Sequence, residues 1–184
     1  MGRPEHSRNG YDRAVTTAAT RALELVTRAG VAHRVHPYAT PDRRGGERDQ
    51  RPSYGTDAAS ALGVAPARVF KTLAASVDDR IVLAVVPAGR ALDLKRLAEA
   101  CSGRRASLVE PEVAERATGY VIGGISPLGS RRTLPVIVDA SVLEHETVFV
   151  SAGRRGLQLE LTPVDLLRLS SGRPARIARD DGQG

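Results

Sequence analysis

The sequence TGYVIGGISPLG at residues 118–129, here called the glycine loop, is the most informative segment of the chain. A short apolar run breaks there into two adjacent glycines, a proline and a further glycine. Glycine permits positive φ angles and a close approach of the main chain to a ligand, and proline fixes the turn that follows. No lysine follows the glycines and no Gly-x-Gly-x-x-Gly spacing is present, so the segment does not match a phosphate-binding loop. Two interpretations stay open: backbone amides that bind a ligand, or a structural turn.

The length of 184 residues and the hydrophobic content of 41% predict one globular domain with a substantial core. Residues 1–13 carry too little apolar surface to pack, so we expect a disordered N-terminal arm. The single domain is expected to span residues 14–179, and residues 180–184 are expected to be flexible. Because aromatic residues make up only 3% of the chain, aliphatic side chains must fill the core.

The formal net charge of +6 favours a polyanionic partner, with RNA rather than DNA as the leading candidate. An arginine-rich composition alone also explains this charge, since Lys71 and Lys95 are the only lysines among 27 basic residues. The arginine pairs at 104–105, 131–132 and 154–155 lie at the ends of predicted elements. Each pair is typical of a solvated surface, whereas together they would follow a phosphate backbone.

Cysteine and histidine usage argues against several kinds of site. The single cysteine, Cys101, excludes an internal disulfide and a multi-cysteine metal site. His33 and His36 lie three apart in a strand-like segment and are expected to point to opposite faces, which disfavours a shared metal. We therefore expect no metal and no cofactor. A reducing cytoplasm is the expected compartment, and no segment approaches the roughly 20 apolar residues that span a bilayer.

Short strands and short helices alternate irregularly along the chain. The clearest signal is a β-hairpin at 69–77 and 80–87 around Asp78-Asp79, and further strands are predicted at 31–38, 108–109, 134–139, 147–151 and 156–161. Helices are predicted at 16–29 and 56–63, after the Asp93 cap, from residue 110 and from residue 162, while residues 39–55 are expected to form a mobile basic loop. The pattern predicts an α+β protein with a mixed, largely closed, barrel-like sheet flanked by short helices.

No ordinary hydrolytic motif, such as Gly-x-Ser-x-Gly or His-Glu-x-x-His, occurs in the chain. Lys71 lies within VFKTL, where apolar neighbours desolvate its ammonium unless an anion or carbonyl compensates. A phosphate, a carboxylate or an ester suits such a cation, and a lysine on the solvent face of an edge strand is an equally open interpretation. Ser151 ends a predicted strand, and we interpret it as a binding group because nothing near it in sequence resembles a general base.

Four segments together resemble the YbaK family of free-standing aminoacyl-tRNA deacylases, which is similar to the editing domain of prolyl-tRNA synthetase. They are VFKTL at 69–73, the glycine loop, LPVIVD at 134–139 and VSAGRRGL at 150–157. These segments follow the family's order, and the resemblance runs over residues 18–179. Within the family, the pattern is most similar to that of the Cys-tRNA(Pro) deacylases.

The resemblance implies a trans-editing hydrolase that removes a wrong amino acid from the 3′ end of tRNA, with the substrate's own thiol attacking the ester. Lys71 matches the family's functional lysine, and backbone N–H groups at Gly123 and Gly124 are expected to stabilise the oxyanion. The substrate-binding positions implied by the resemblance are Tyr38, Tyr54, Tyr120, Ile125, Ser126, Ser151 and Gln158.

Gln158 departs from the family pattern, which carries an aspartate at this position, so the preferred amino acid stays open. One alternative is a deacylase for Ala- or Ser-charged tRNA that uses water as the nucleophile. Another is a noncatalytic module that binds tRNA or a partner protein. Aminoacyl-tRNA is the expected partner, and prolyl-tRNA synthetase is a second candidate because the chain has no RNA-recognition motif of its own.

Overall fold

The computed structural model describes residues 19–40 and 54–179, which contain a mixed eight-stranded sheet and five α-helices. The strands are β1 Arg34–Pro37, β2 Val69–Val77, β3 Arg80–Pro87, β4 Ala106–Leu108, β5 Val136–Asp139, β6 Val148–Ser151, β7 Leu157–Leu161 and β8 Arg173–Ala175. The helices are α1 Arg21–Arg28, α2 Tyr54–Leu62, α3 Leu94–Ala100, α4 Pro111–Thr118 and α5 Pro163–Ser170. The predicted N-terminal arm, residues 41–53 of the predicted basic loop and residues 180–184 lie outside the described residues.

The β2–β3 hairpin lies at the middle of the sheet, and its predicted bounds are confirmed. Asp78 and Asp79 adopt positive φ angles of 43° and 67°, as expected of a two-residue turn whose twist matches that of the strands. The Asp78 carboxylate accepts hydrogen bonds from the backbone N–H groups of Arg104 and Arg105 at 2.9 and 3.0 Å, which lower its pKa. The turn is therefore held by local conformation and by the segment before β4.

Hydrogen bonding orders the strands β1-β7-β6-β2-β3-β5-β8, and β4 pairs with β2 beside β6. One edge of β2 is shared, since β6 runs parallel to residues 69–70 and β4 runs antiparallel to residues 75–77. Within the described residues, β1 and β8 each pair with one strand, so hydrogen bonds do not close the sheet. The predicted α+β class and mixed sheet are confirmed.

Helices cover both faces of the sheet. On one face α1, α4, α5 and the glycine loop share a core cluster, represented by Val26, Ala114, Leu166 and Leu128. On the other face α3 packs over β3 and β5, and α2 packs over the start of β2 and over β6. The middle of the sheet is therefore buried on both sides. None of the described helices has the length and apolar character needed to cross a membrane.

Several helix ends follow the predicted caps. The Asp93 side chain accepts from the N–H groups of residues 95 and 96 at the start of α3, and the Thr162 side chain caps α5 in the same way. Pro111 opens α4 as predicted, and Gly119 ends it with a left-handed φ of 71°. These caps depend only on near neighbours in sequence, which is why they were predictable.

Several elements differ from the sequence-based prediction, among them β1, β4 and β5, whose bounds differ by one to three residues. Helix α1 starts at Arg21 rather than at residue 16, because Thr20 serves as its N-cap. Helix α2 starts at Tyr54, so Tyr54 and Gly55 belong to a helix and not to the predicted loop. Strand β8 was not predicted, because it has three residues including Pro174 and pairs only at the sheet edge.

Asp139 links the end of β5 to the C-terminal segment. Its carboxylate accepts from the N–H groups of Ile177 and Ala178 at 2.9 and 2.7 Å, and from the Ser141 hydroxyl at 2.6 Å. Burial opposes ionisation of this carboxyl, but the hydrogen bonds outweigh it and lower the pKa of Asp139. Asp139 is 4% exposed, so its ionised carboxylate is buried and holds residues 177–178 against the end of β5 by hydrogen bonds.

We expect Asp139→Asn to reduce the free energy of unfolding at pH 7 by about 1.5–3 kcal/mol, the range for hydrogen bonds to a charged group. A carboxyl whose pKa is lower in the folded state stabilises the fold above its unfolded pKa, and this stability is lost as the pH falls through the folded pKa. The difference in the free energy of unfolding between wild type and variant should therefore become smaller in acid. Urea unfolding at pH 7 and pH 3 tests this, with Asp79→Asn in the exposed turn as control; equal stabilities at pH 7 would contradict it.

Candidate functional site

Four of the predicted site residues lie on the face of the sheet that carries α2, and three of them, Gln158, Ser151 and Lys71, form a row across adjacent strands. Gln158 in β7 pairs directly with Ser151 in β6. Phe70 pairs with Val150, so the next residue, Lys71 in β2, lies beside Ser151. Tyr38 follows β1, donates its N–H to the Gly156 carbonyl at 2.9 Å and packs against the α2 cluster. Adjacent strands lie about 4.8 Å apart, so the row places Lys71 and Gln158 about 10 Å apart at the backbone.

The first turn of α2 lies directly over Lys71. A Cβ atom built at Gly55 would lie 2.7 Å from the Ala88 Cβ and 3.7 Å from the Lys71 Cβ, so only glycine permits this approach. The Lys71 ammonium donates to the Ala88 carbonyl at 3.0 Å. Burial lowers its pKa, and no carboxylate in the described part of the chain pairs with it. Lys71 is thus a desolvated cation without a counter-charge among these residues.

The glycine loop reaches the same row through Gly124. A Cβ atom at Gly124 would lie 2.8 Å from the Arg154 Cα and 3.0 Å from the Arg155 nitrogen, which are backbone atoms of the β6–β7 turn. The Ser151 hydroxyl donates to the Gly124 carbonyl at 3.0 Å and accepts from the Gly153 N–H at 3.2 Å. Ser151 therefore joins loop and turn, and none of the described residues acts as a general base for it.

Gly123 is half-buried and lies between side chains of α2 and of the β6–β7 turn. Its φ is 82°, and a Cβ there would meet the Tyr54 ring at 2.9 Å and the Arg155 Nε at 3.0 Å. The Arg155 guanidinium stacks 5.1 Å from the centre of the Tyr54 ring, and its Nε donates to the Ile122 carbonyl at 2.7 Å. Tyr54 and Arg155 thus frame Gly123 from two elements.

The two predicted oxyanion donors differ in availability. The Gly124 N–H already donates to the Val121 carbonyl at 2.9 Å within the loop. The Gly123 N–H has no acceptor within the described residues. Of this pair, only Gly123 has a backbone amide that is available to an oxyanion in this structure.

Three predicted substrate-binding side chains point into the interior instead. The Tyr120 hydroxyl donates to the Leu128 carbonyl at 2.8 Å, and burial raises its pKa. Ser126 is fully buried and accepts from the Leu128 N–H at 3.2 Å, while Ile125 is part of the core. These side chains shape the glycine loop from within, and a contact with substrate would have to use their backbone.

Helix α1 holds the glycine loop in place, which the sequence did not reveal. The Arg21 guanidinium donates to the Thr118 carbonyl at 2.8 Å and lies 4.9 Å from the centre of the Tyr120 ring. The Thr20 hydroxyl donates to the Ala152 carbonyl in the β6–β7 turn. These contacts join residues about 100 positions or more apart in the chain, so no local pattern signals them.

The arginine pairs are distributed unevenly around this site. Arg154 and Arg155 lie in the β6–β7 turn against the glycine loop. The pair at 131–132 follows the loop, and its backbone N–H groups donate to residues 118 and 117. The pair at 104–105 lies at the β2–β3 turn, at the far end of β2 from Lys71. Two of the three pairs therefore flank the loop.

The arrangement combines a cation, an available backbone donor and a hydroxyl, without a protein nucleophile activated by a base. Such a set can bind and polarise a carbonyl or phosphate group. Within the described residues, no group of three or more His, Cys, Asp and Glu side chains is placed to hold a metal ion. These residues can therefore polarise a carbonyl or phosphate group that is attacked by a group from outside the described site.

A protein-family model described as the aminoacyl-tRNA editing domain matches residues 52–169, more than half of the chain. The chain belongs to this family. The match covers the α2 turn over Lys71, the glycine loop and the β6–β7 turn. Family membership identifies the reaction as hydrolysis of the ester that joins an amino acid to tRNA.

Individual relatives agree with this editing-domain assignment. The chain is 32% identical over 165 residues to a candidate Cys-tRNA(Pro)/Cys-tRNA(Cys) deacylase, EbsC, of Enterococcus faecalis, covering 88% of this chain and 94% of that protein. It is 33% identical over 113 residues to the multifunctional Ser/Thr-tRNA deacylase ProXp-y of Escherichia coli, and the match covers 60% of this chain and 67% of that protein. The crystal structure of a candidate trans-editing enzyme for prolyl tRNA synthetase shares the fold, with a TM-score of 0.76 at 23% identity over 91% of this chain and 100% of that one.

We expect Gly124→Ala to lower stability by about 1–3 kcal/mol, the usual cost of overpacking, because the new methyl group would meet backbone rather than a movable side chain. The loop should shift away from the β6–β7 turn, so deacylation should fall as well. Gly89→Ala is a matched control, since its nearest heavy atom lies 4.0 Å from the added Cβ. Thermal unfolding of both variants tests the contact, and equal midpoints would show that the turn adjusts freely.

Proposed function

We propose that this editing domain acts as a free-standing deacylase on mischarged tRNA, with Cys-tRNA(Pro) as its principal substrate. The proposal is supported by the presence, in one domain, of a desolvated Lys71 cation and a Gly123 N–H without an acceptor, and by the lack of an activated nucleophile among the described residues. A site of this kind suits a substrate that brings its own nucleophile. Cysteine, unlike proline or alanine, does so through its thiol.

In the proposed reaction the ester carbonyl oxygen lies against the Gly123 N–H. The cysteine thiol first loses its proton to water; the thiolate sulfur then attacks the carbonyl carbon, the C–S bond forms, and the ester C–O bond breaks. The tRNA 3′-oxygen leaves with the electron pair and takes up a proton from water. Water then hydrolyses the resulting thiolactone to free cysteine. Lys71 stabilises the negative charge that develops during the attack or on the terminal nucleotide.

A water-dependent reaction on Ala- or Ser-charged tRNA is the second candidate. The departure from the family pattern at Gln158 favours it, as does the likeness to a relative named as a Ser/Thr-tRNA deacylase. A noncatalytic module that binds tRNA or a partner would keep the pocket without cleaving the ester. Product analysis separates these three functions.

The proposed partners are aminoacyl-tRNA and prolyl-tRNA synthetase. Two arginine pairs flank the glycine loop, where they would meet the phosphates of the tRNA acceptor end. Contacts to phosphates carry no sequence information, so this domain would not distinguish one tRNA from another by them. Prolyl-tRNA synthetase, as a second partner, would select the tRNA. The compartment in which charged tRNA is used, the cytoplasm, is the proposed location.

A substrate panel tests the proposed function. We expect rapid single-turnover loss of cysteine from Cys-tRNA(Pro), little loss from Ala-tRNA(Pro), and none from Pro-tRNA(Pro). Methylation of the substrate sulfur should abolish the reaction, because the nucleophile is removed. Loss of alanine or of S-methylcysteine at the cysteine rate would establish the water-dependent reaction instead, and tRNA binding without any cleavage would establish the noncatalytic module.

We expect Lys71→Ala to lower the deacylation rate by about 10²-fold or more, as for loss of one oxyanion-stabilising group, with little change in the unfolding midpoint. Because burial lowers the Lys71 pKa, the wild-type rate should decline in alkaline solution at a pH below that expected of an ordinary lysine. Lys71→Arg keeps its charge at that pH, so any residual activity should not show this decline. Lys95→Ala, at an exposed lysine of α3, is the control; a fully active Lys71→Ala would remove Lys71 from the mechanism.

A further inference from the structure

Gln158 carries a buried side-chain amide whose oxygen has no hydrogen-bond partner. The residue is 6% exposed, and its Oε1 atom is buried without any hydrogen-bond partner. An unsatisfied buried acceptor lowers the stability of the fold relative to one that is paired. Most buried polar groups in native proteins are satisfied, so an exception of this kind calls for a ligand or another explanation.

The neighbours of Gln158 are already occupied by other partners. On one side it pairs with Ser151, whose hydroxyl bonds to the glycine loop. On the other side it pairs with His36, whose Nε2 lies 2.8 Å from a Glu160 carboxylate oxygen. Neither neighbour donates a hydrogen bond to the Gln158 amide oxygen, although both lie on strands adjacent to β7. The unpaired oxygen is therefore a free acceptor inside the row of site residues.

We propose that Gln158 binds the α-ammonium group of the aminoacyl moiety, with its Oε1 atom as the acceptor. This inference rests on the proposed function, because it takes the ligand to be an amino acid esterified to a nucleotide. A charged donor forms a shorter and stronger hydrogen bond to such an oxygen than a neutral donor does. The amide would then be satisfied only in the complex.

The order of the row sets the orientation of the ligand. The ester belongs at Lys71 and Gly123, where negative charge is stabilised, and the ammonium belongs at the opposite end, away from the Lys71 cation. Gln158 lies two strands from Lys71, about 10 Å at the backbone, with Ser151 between them. A neutral amide at that position accepts a hydrogen bond without the desolvation penalty of a carboxylate.

Binding of two stable analogues tests the inference independently of catalysis. One is 3′-deoxyadenosine carrying cysteine through a 3′-amide, and the other is the same compound with its α-amine acetylated. By calorimetry we expect the wild type to prefer the free amine by about tenfold or more, the ratio for one hydrogen bond to a charged group. Gln158→Leu should bind both analogues with equal, weak affinity.

The same variant should be at least as stable as the wild type, because an unsatisfied buried amide is replaced by an apolar group of similar size. Gln158→Met is a second replacement of this kind. His36→Gln is the matched control: it alters the other neighbour of Gln158 and the contact with Glu160, yet should keep the preference for the free amine.

Each outcome separates the inference from the proposed function. Binding of the free amine through Gln158 without cleavage of any aminoacyl-tRNA would overturn the function and keep the inference. Cleavage of Cys-tRNA(Pro) with an undiminished amine preference in Gln158→Leu would overturn the inference alone. It is also overturned if both apolar variants are less stable than the wild type, or if the wild type does not discriminate between the analogues.

Discussion

Two backbone segments meet at Gly124 with no room for a side chain, and the candidate site depends on this contact. The glycine loop lies there against the backbone of Arg154 and Arg155 in the β6–β7 turn. The Ser151 hydroxyl bridges the same two segments. This contact places the glycine loop beside the strand row that carries Ser151 and Lys71. A second close approach, at Gly55, places α2 over that lysine. The site is thus assembled from segments whose spacing is set by the absence of Cβ atoms.

The loop is supported from the opposite side by groups that never face the row. Tyr120 and Ser126 satisfy backbone groups near Leu128, and Arg21 of α1 fastens the start of the loop at Thr118. Such preorganised support lets a backbone donor act without rearrangement during the reaction. The loop side chains that looked functional in the sequence therefore serve the geometry of the Gly123 backbone.

Buried polar groups fall into two classes in this structure. Asp139 is ionised and accepts several hydrogen bonds, so its burial fastens the C-terminal segment to the sheet. The Gln158 amide and the Lys71 ammonium are less well compensated, the first without a partner for its oxygen and the second with a single carbonyl. Among the incompletely satisfied polar groups of the described residues, these two lie in the row assigned to substrate, where a ligand would complete them.

The sequence by itself determined the features that depend on near neighbours: the β2–β3 hairpin around Asp78-Asp79, the caps at Asp93 and Thr162, and the ordered motifs that identify the family. Tertiary structure alone decided that Tyr54 lies in a helix against Gly123 and that the Gly124 N–H is occupied. It also decided that Arg21 of α1 contacts the glycine loop and holds it in place. The physical reason is that these features depend on strand register and on packing between distant segments, which local residue patterns do not encode.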